Sequence, residues 1–199
     1  SVLGGILADD QAKAHETRRF TLPRAPLIYL IGVMALLCMN AEGTVLDWAA
    51  LYLRQELGAG MAIGGFGFAA FCATMAIMRF AGDSIRNRFG AVSTFRVSVV
   101  IAAVGMLAAG LAPSAWIAIG AFAVAGIGIA NTVPILFSAA GNQRGLAAAS
   151  GMSVVTTMGY SGILAAPSLI GFVGGAYGFR PVYIAVALLL ACLAAMADL

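Results

Sequence analysis

Charge is scarce in this sequence. Eleven basic and eight acidic side chains make up 10% of 199 residues, against 62% hydrophobic ones. A soluble core of this length cannot absorb so much apolar surface. Histidine occurs once, at His15 in a polar stretch, where it reads as a solvated side chain and not as a base or ligand. The three cysteines, Cys38, Cys72 and Cys192, all lie in apolar runs with no companion histidine. They read as small buried hydrophobes, which excludes a disulfide framework and a Cys/His metal site. Phosphate-binding loops and Ser/His/Asp sets are missing too. The Gly126–Gly128 run lacks the third glycine and the preceding strand of a dinucleotide loop. We therefore expect no enzyme, no cofactor, no metal and no nucleic-acid partner.

What the chain has in abundance is long apolar runs. With a mean hydropathy of +0.99, they describe a polytopic membrane protein. Residues 1–26 are polar and mixed in charge, and read as a solvated linker. Residues 27–199 read as a transmembrane bundle of six spans, at 27–53, 61–78, 92–111, 115–137, 146–173 and 182–197. The chain opens on Ser1 and shows no signal peptide, so a piece of a longer protein is expected. An even number of spans leaves both ends on one side. Nine basic residues (Lys13, Arg18, Arg19, Arg24, Arg79, Arg86, Arg88, Arg96 and Arg144) fall on the linker's side, and only Arg54 and Arg180 on the other. By the positive-inside rule both ends of the segment are cytoplasmic.

The first span holds two acids, Glu42 and Asp47. A carboxylate near the centre of a span costs about 2.5–3.5 kcal/mol on insertion scales. Each acid is either neutralised by a buried partner or faces a wet internal pathway, and we favour the pathway for at least one. Asn40, Thr44 and Asp47 are spaced i, i+4, i+7 and share a helix face. Glu42 lies about 140° round from Asp47, so both can face one cavity only if the helix bends, for which Gly43 is a place. Glu42 sits about 3 Å from the middle of the span and Asp47 about 10 Å. Depth ranks Glu42 as the proton carrier, whereas the shared face argues for Asp47. Trp48 and Tyr52 read as interfacial anchors or cavity wall, and Tyr160 as either packing or cavity. In the fourth span Asn131 and Thr132 precede Pro134, which frees a backbone carbonyl for ligand or water; interhelical hydrogen bonding is the alternative. Gly60 and Gly64, one turn apart, read as a packing surface.

Between the second and third spans stands GDSIRNRFG. It resembles the signature loop of the major facilitator superfamily, with Gly82 and Asp83 at its start, Arg86 and Arg88 at the basic positions and Gly90 at the turn. Ser84 departs from that pattern, standing where an arginine commonly follows the aspartate. Arg79 departs as well, occupying a usual glycine position whose packing role Gly82 can take. A positive-inside loop alone accounts for the arginines but not for the Gly–Asp–Gly spacing. Asp83 is placed to pair with Arg79 at i,i+4. The stretch AEGTVLDWAALYL also resembles bacterial members with Glu-Gly followed by Asp-Trp.

This resemblance implies an all-α membrane protein whose six transmembrane helices form two inverted three-helix repeats, the C-terminal half (helices seven to twelve) of a twelve-helix transporter. It implies partnership with the lipid bilayer, an N-terminal six-helix half, a small-molecule substrate and, through a membrane carboxylate, a proton. The setting is a bacterial inner membrane. Asp83 would meet the positive end of a helix in the other half, and the first and fourth spans would line the central cavity. A non-transporting scaffold or receptor of the same fold is the rival reading.

Overall fold

A computed structural model describes residues 25–196. The expected linker therefore lies outside the described residues, apart from its last two positions. Seven α-helices follow one another: α1 Pro26–Gln55, α2 Met61–Phe89, α3 Ala91–Gly110, α4 Ala115–Ile129, α5 Thr132–Gly141, α6 Ala148–Tyr177 and α7 Arg180–Met196. No strand occurs among the described residues. In lipid each backbone N–H and C=O must be satisfied within its own helix, which leaves helices as the open-chain solution. α4 and α5 together make one span, 27 residues long. With α1, α2, α3 and α6 it gives five segments long and apolar enough to cross a membrane; α7 is apolar but shorter, at 17 residues.

Two boundaries differ from expectation. The second span does not end at Met78, and its signature segment is not a loop but the last turns of α2. At 29 residues that helix is about 43 Å long, well beyond a bilayer core of about 30 Å. Hydropathy falls at Arg79, but nothing there interrupts the hydrogen-bond ladder until Gly90, which has φ +81°. The fourth span, expected to be continuous, breaks at Ala130–Asn131. Pro134 has no N–H to offer the Ala130 carbonyl, so the ladder lapses there.

α1 packs most extensively on α6, α2 on α4, and α3 on both α4 and α7. Six alternating spans fall into two triplets, and because each triplet is odd the second enters from the opposite side. The α1·α6 and α2·α4 contacts are then equivalent under the inversion, and α3·α7 is its own equivalent. Three turns gather at one end of the bundle. Glu56 accepts hydrogen bonds from the backbone N–H groups of Phe179 and Arg180, and the Arg180 guanidinium donates to the Ala112 carbonyl at 2.9 Å. Arg86 and Arg144 belong to the other end, as the charge count expects.

Close helix contacts run through glycine, though not through Gly60. That residue precedes α2 with open space beside it. Gly64 and Gly67 do the packing, against Arg54 and Leu53 of α1. Tyr52 is no interfacial anchor. It is fully buried between Phe122 and Tyr183, and its hydroxyl donates to the Ala109 carbonyl at 2.7 Å. Gly105 of α3 lies tightly against backbone: a Cβ there would stand 2.4 Å from the Ala125 amide nitrogen. Gly105→Ala should force α3 from α4 and cost about 1–3 kcal/mol. Gly120→Ala, with nothing within 4 Å, should be neutral or slightly stabilising. Thermal unfolding of both variants in the full-length protein checks this; equal midpoints would mean the contact gives way freely.

Candidate functional site

α1, α2, α5 and α6 enclose an open cleft of about 360 Å³. Glu42 and Asp47 both line it, together with Arg79, Pro134 and Tyr160. The angular objection to two acids in one cavity is met without a break in α1. Gly43 stands between them with nothing within 4 Å of its missing Cβ, so the cleft wraps around that side of the helix. Tyr160, 54% exposed, forms part of the opposite wall.

The two acids differ in their partners. Glu42 accepts from Arg79 Nη2 at 3.5 Å, with its side chain only 20% exposed. Arg79 also donates through Nε to the Ala130 carbonyl at 3.5 Å. That is the oxygen Pro134 leaves without an N–H, so the freed carbonyl goes to an arginine of a neighbouring helix. One guanidinium thereby joins α1, α2 and the α4–α5 break. Asp47 is exposed, and among the described residues no hydrogen bond or ion pair engages it. The sequence reading missed Arg79 as a site residue. Its one available signal was a cation just past an apolar run, which that reading assigned to the membrane surface.

Asn40 and Thr44 line a second, smaller cavity of about 20 Å³ between α1 and α6, which Asp47 also borders. Thr44 Oγ1 donates to the Asn40 carbonyl at 2.7 Å, and Asn40 Oδ1 is buried without a partner. Asn131 and Thr132 are not brought to the acids. Thr132 is fully buried and donates to the Ile129 carbonyl at 2.8 Å. Asn131 donates to the Met78 carbonyl at 3.3 Å and borders a separate, mainly apolar cavity beside α2 and α3. Only the Asn131 bond is interhelical; the Thr132 bond stays within its own span, and Pro134, not either polar residue, lines the cleft. Trp48 stacks on Phe179, ring centroids 5.3 Å apart, instead of lining the cleft.

In the signature segment Gly82 takes the packing role: a Cβ there would lie 2.1 Å from Asn131 Oδ1. Asp83 pairs with Arg86 at 3.3 Å and not with Arg79, which Glu42 holds; its side chain is 89% exposed. Arg88 lies over the Phe89 ring at 5.5 Å from its centroid. Among the described residues no three His, Cys, Asp or Glu side chains form a metal-binding group.

No family model matches the chain. Over 183 residues it is 37% identical to a protein of Yersinia pestis named as an uncharacterised MFS-type transporter, covering 92% of this chain and 47% of that one. It is 31% identical to the membrane protein MosC of Rhizobium meliloti, covering 97% and 48%. It is also 31% identical to an uncharacterised transporter of Sinorhizobium fredii, covering 96% and 52%. The chain thus spans about half the length of the curated relatives it matches. Its fold is similar to the crystal structure of the E. coli fucose:proton symporter FucP, with a TM-score of 0.75 at 20% identity over 86% of this chain and 42% of that one.

If the Glu42–Arg79 contact holds in solution, a double-mutant cycle reveals it. Glu42→Gln and Arg79→Gln should each lower stability in the full-length protein, and the double variant should lose less than their sum. A coupling of about 0.5–1 kcal/mol is expected, kept small because the Arg79 side chain is 48% exposed. Strictly additive losses in thermal unfolding would remove the pair from the site.

Proposed function

Because the chain belongs to the major facilitator superfamily and carries one six-helix half of its fold, we propose that it is the C-terminal half of a small-molecule transporter working by alternating access. The reading rests chiefly on one observation: an apolar bundle opens a cleft lined by two carboxylates and an arginine. Such groups are costly in a membrane and are kept where a solute or an ion passes. A proton gradient is the proposed energy source, with a carboxylate in the membrane to carry the proton. Two of the helices that wall the cleft, α2 and α6, carry the exposed side chains Phe66, Phe80, Leu164 and Phe172. An N-terminal half and lipid would cover them. The proposed setting is a bacterial inner membrane with both ends of this segment cytoplasmic, an orientation that the charge asymmetry supports.

The Glu42–Arg79 pair suggests how a proton moves the bundle. Ionised Glu42 holds Arg79, and Arg79 holds the α4–α5 break, so α1, α2 and α5 are locked together. Protonation removes the negative charge and leaves the arginine only the Ala130 carbonyl. The lock loosens, and α2 is free to shift against α1. Asp47, with no protein partner, is left to face the substrate.

In proteoliposomes of the full-length protein, Glu42→Gln should abolish proton-driven accumulation and spare substrate exchange. Asp47→Asn should weaken substrate binding about tenfold or more, as for one lost charge-assisted contact. If Asp47→Asn uncouples and Glu42→Gln still accumulates, the two roles are exchanged. A folded protein that moves no solute at all would return the reading to a scaffold or receptor.

Asp83 at the end of α2 is proposed to latch one access state against a helix N-terminus of the other half. Asp83→Asn should shift cysteine-accessibility labelling of cleft positions toward one side without unfolding. An unchanged pattern would leave Asp83 a surface charge paired with Arg86.

A further inference from the structure

The charges that line the main cleft do not cancel. Glu42 and Arg79 answer one another at 3.5 Å, and the same guanidinium donates to the Ala130 carbonyl at 3.5 Å. Asp47 is left over: it is exposed, and among the described residues no hydrogen bond or ion pair engages it. The next charge beyond it on α1 is Arg54, about 10 Å further along the axis, with its stem against Gly64 of α2. Over that distance solvent and salt screen most of its effect. The cleft wall of this half therefore carries one net negative charge. Tyr160 stands in the same cleft, 54% exposed, its ring engaged by no hydrogen bond or ring contact among the described residues. Met39, Leu46, Val133, Pro134 and Ile163 add apolar surface and no side-chain donor.

Such a wall sorts solutes by charge and by hydration. An anion would meet Asp47, and would have to draw Arg79 from the two acceptors it already has. A neutral polyhydroxy solute needs many polar partners to replace its water, and this wall offers few. An inorganic cation holds its water too tightly for one exposed carboxylate to displace it. A diffuse organic cation is different. It sheds water easily, pairs with the carboxylate and lays its apolar groups on the aliphatic wall, while an aromatic face attracts the same positive charge. The cleft, at about 360 Å³, is of the size of small-molecule sites, which run from about 300 to 1,000 Å³. We infer that the solute is a lipophilic organic monocation, with Asp47 as its counter-charge and the Tyr160 ring as a second contact. Passage of that cation rests on the transport reading; its binding does not.

Equilibrium binding of radiolabelled tetraphenylphosphonium to the full-length protein in detergent reads recognition without transport, over the whole central cavity. The wild-type protein should bind it saturably. Asp47→Asn should raise the dissociation constant about tenfold or more, and Asp47→Glu, which keeps the charge, should raise it much less. Tyr160→Leu should weaken binding about threefold to fivefold, and Tyr160→Phe, which keeps the ring, by less. Among competitors of similar size, phenethylammonium should displace the probe at about one tenth the concentration that phenethyl alcohol needs, and phenylpropionate should be the poorest. The assignment is overturned by folded wild-type protein that shows no saturable binding, by Asp47→Asn that binds as well as wild type, or by an alcohol that competes as well as the amine. Uptake into proteoliposomes separates this inference from the one beneath it. Cation binding that depends on Asp47, in a protein that moves no solute, keeps the cation site and ends the transport reading. Uptake of a neutral or anionic solute that Asp47→Asn leaves unchanged keeps the transporter and ends the cation site.

Discussion

The bundle hangs on how closely α4 can be approached from two sides. A Cβ at Gly126 would lie 2.4 Å from the Phe71 carbonyl oxygen of α2, and one at Gly128 would lie 2.3 Å from the Ala102 amide nitrogen of α3. In lipid the hydrophobic effect does not drive helices together; packing and interhelical hydrogen bonds must. Thr74 supplies such a bond, donating to the Ala123 carbonyl of α4 at 2.8 Å while touching its own helix at Phe71. The consequence reaches the cleft. With α2 held this near α4, Gly82 seats on Asn131, and Arg79, almost one turn earlier, comes level with the Ala130 carbonyl. A methyl group at any of these glycines would move the guanidinium away from its two acceptors.

The opposite end of the bundle is tied by charge. Arg54 and Arg180, the two basic residues on the sparsely charged side, both have structural work. The Arg54 stem covers Gly64, and Arg180 joins Glu56 to the Ala112 carbonyl. Glu56 in turn faces the N-terminal N–H groups of α7, where a carboxylate is favoured by unpaired donors and by the helix dipole. Three turns far apart in sequence are fixed by one ion pair and its hydrogen bonds. The two basic residues that stand against the proposed orientation are therefore both engaged structurally.

Hydropathy located the spans because lipid imposes a composition, but it does not report where a helix stops. α2 continues through its charged turns because helical hydrogen bonds persist in water when no proline or glycine interrupts them, so a change of solvent was read as a loop. Pro134 was legible as the source of a free carbonyl. Its taker was not, since Arg79 lies 55 residues earlier and only the tertiary fold joins them. Tyr52 misled for a related reason. An aromatic with a polar tip near a span's end suits the interface, yet it equally suits a core that offers its hydroxyl a carbonyl, and a single sequence does not say which is present. Asn131 and Thr132 sit at the position expected of cleft residues, but the break before Pro134 directs their side chains to Met78 and Ile129.

The two carboxylates of α1 show what replaces depth as a guide. A buried charge is tolerated when a counter-charge or water answers it, and losing that answer is what gives protonation a structural effect. Glu42 has its answer in Arg79, and because the same guanidinium also grips the α4–α5 break, neutralising Glu42 disturbs more than one helix contact. Asp47 has no such partner, so its protonation would release nothing within this half of the fold. The asymmetry comes from which neighbours each residue meets, five positions apart on a helix facing α2 on one side and α6 on the other. Depth ranked Glu42 first because a central carboxylate is poorly hydrated. The proposed order now rests on partners as well: Glu42 is tied to Arg79, whereas among the described residues Asp47 meets no hydrogen bond or ion pair.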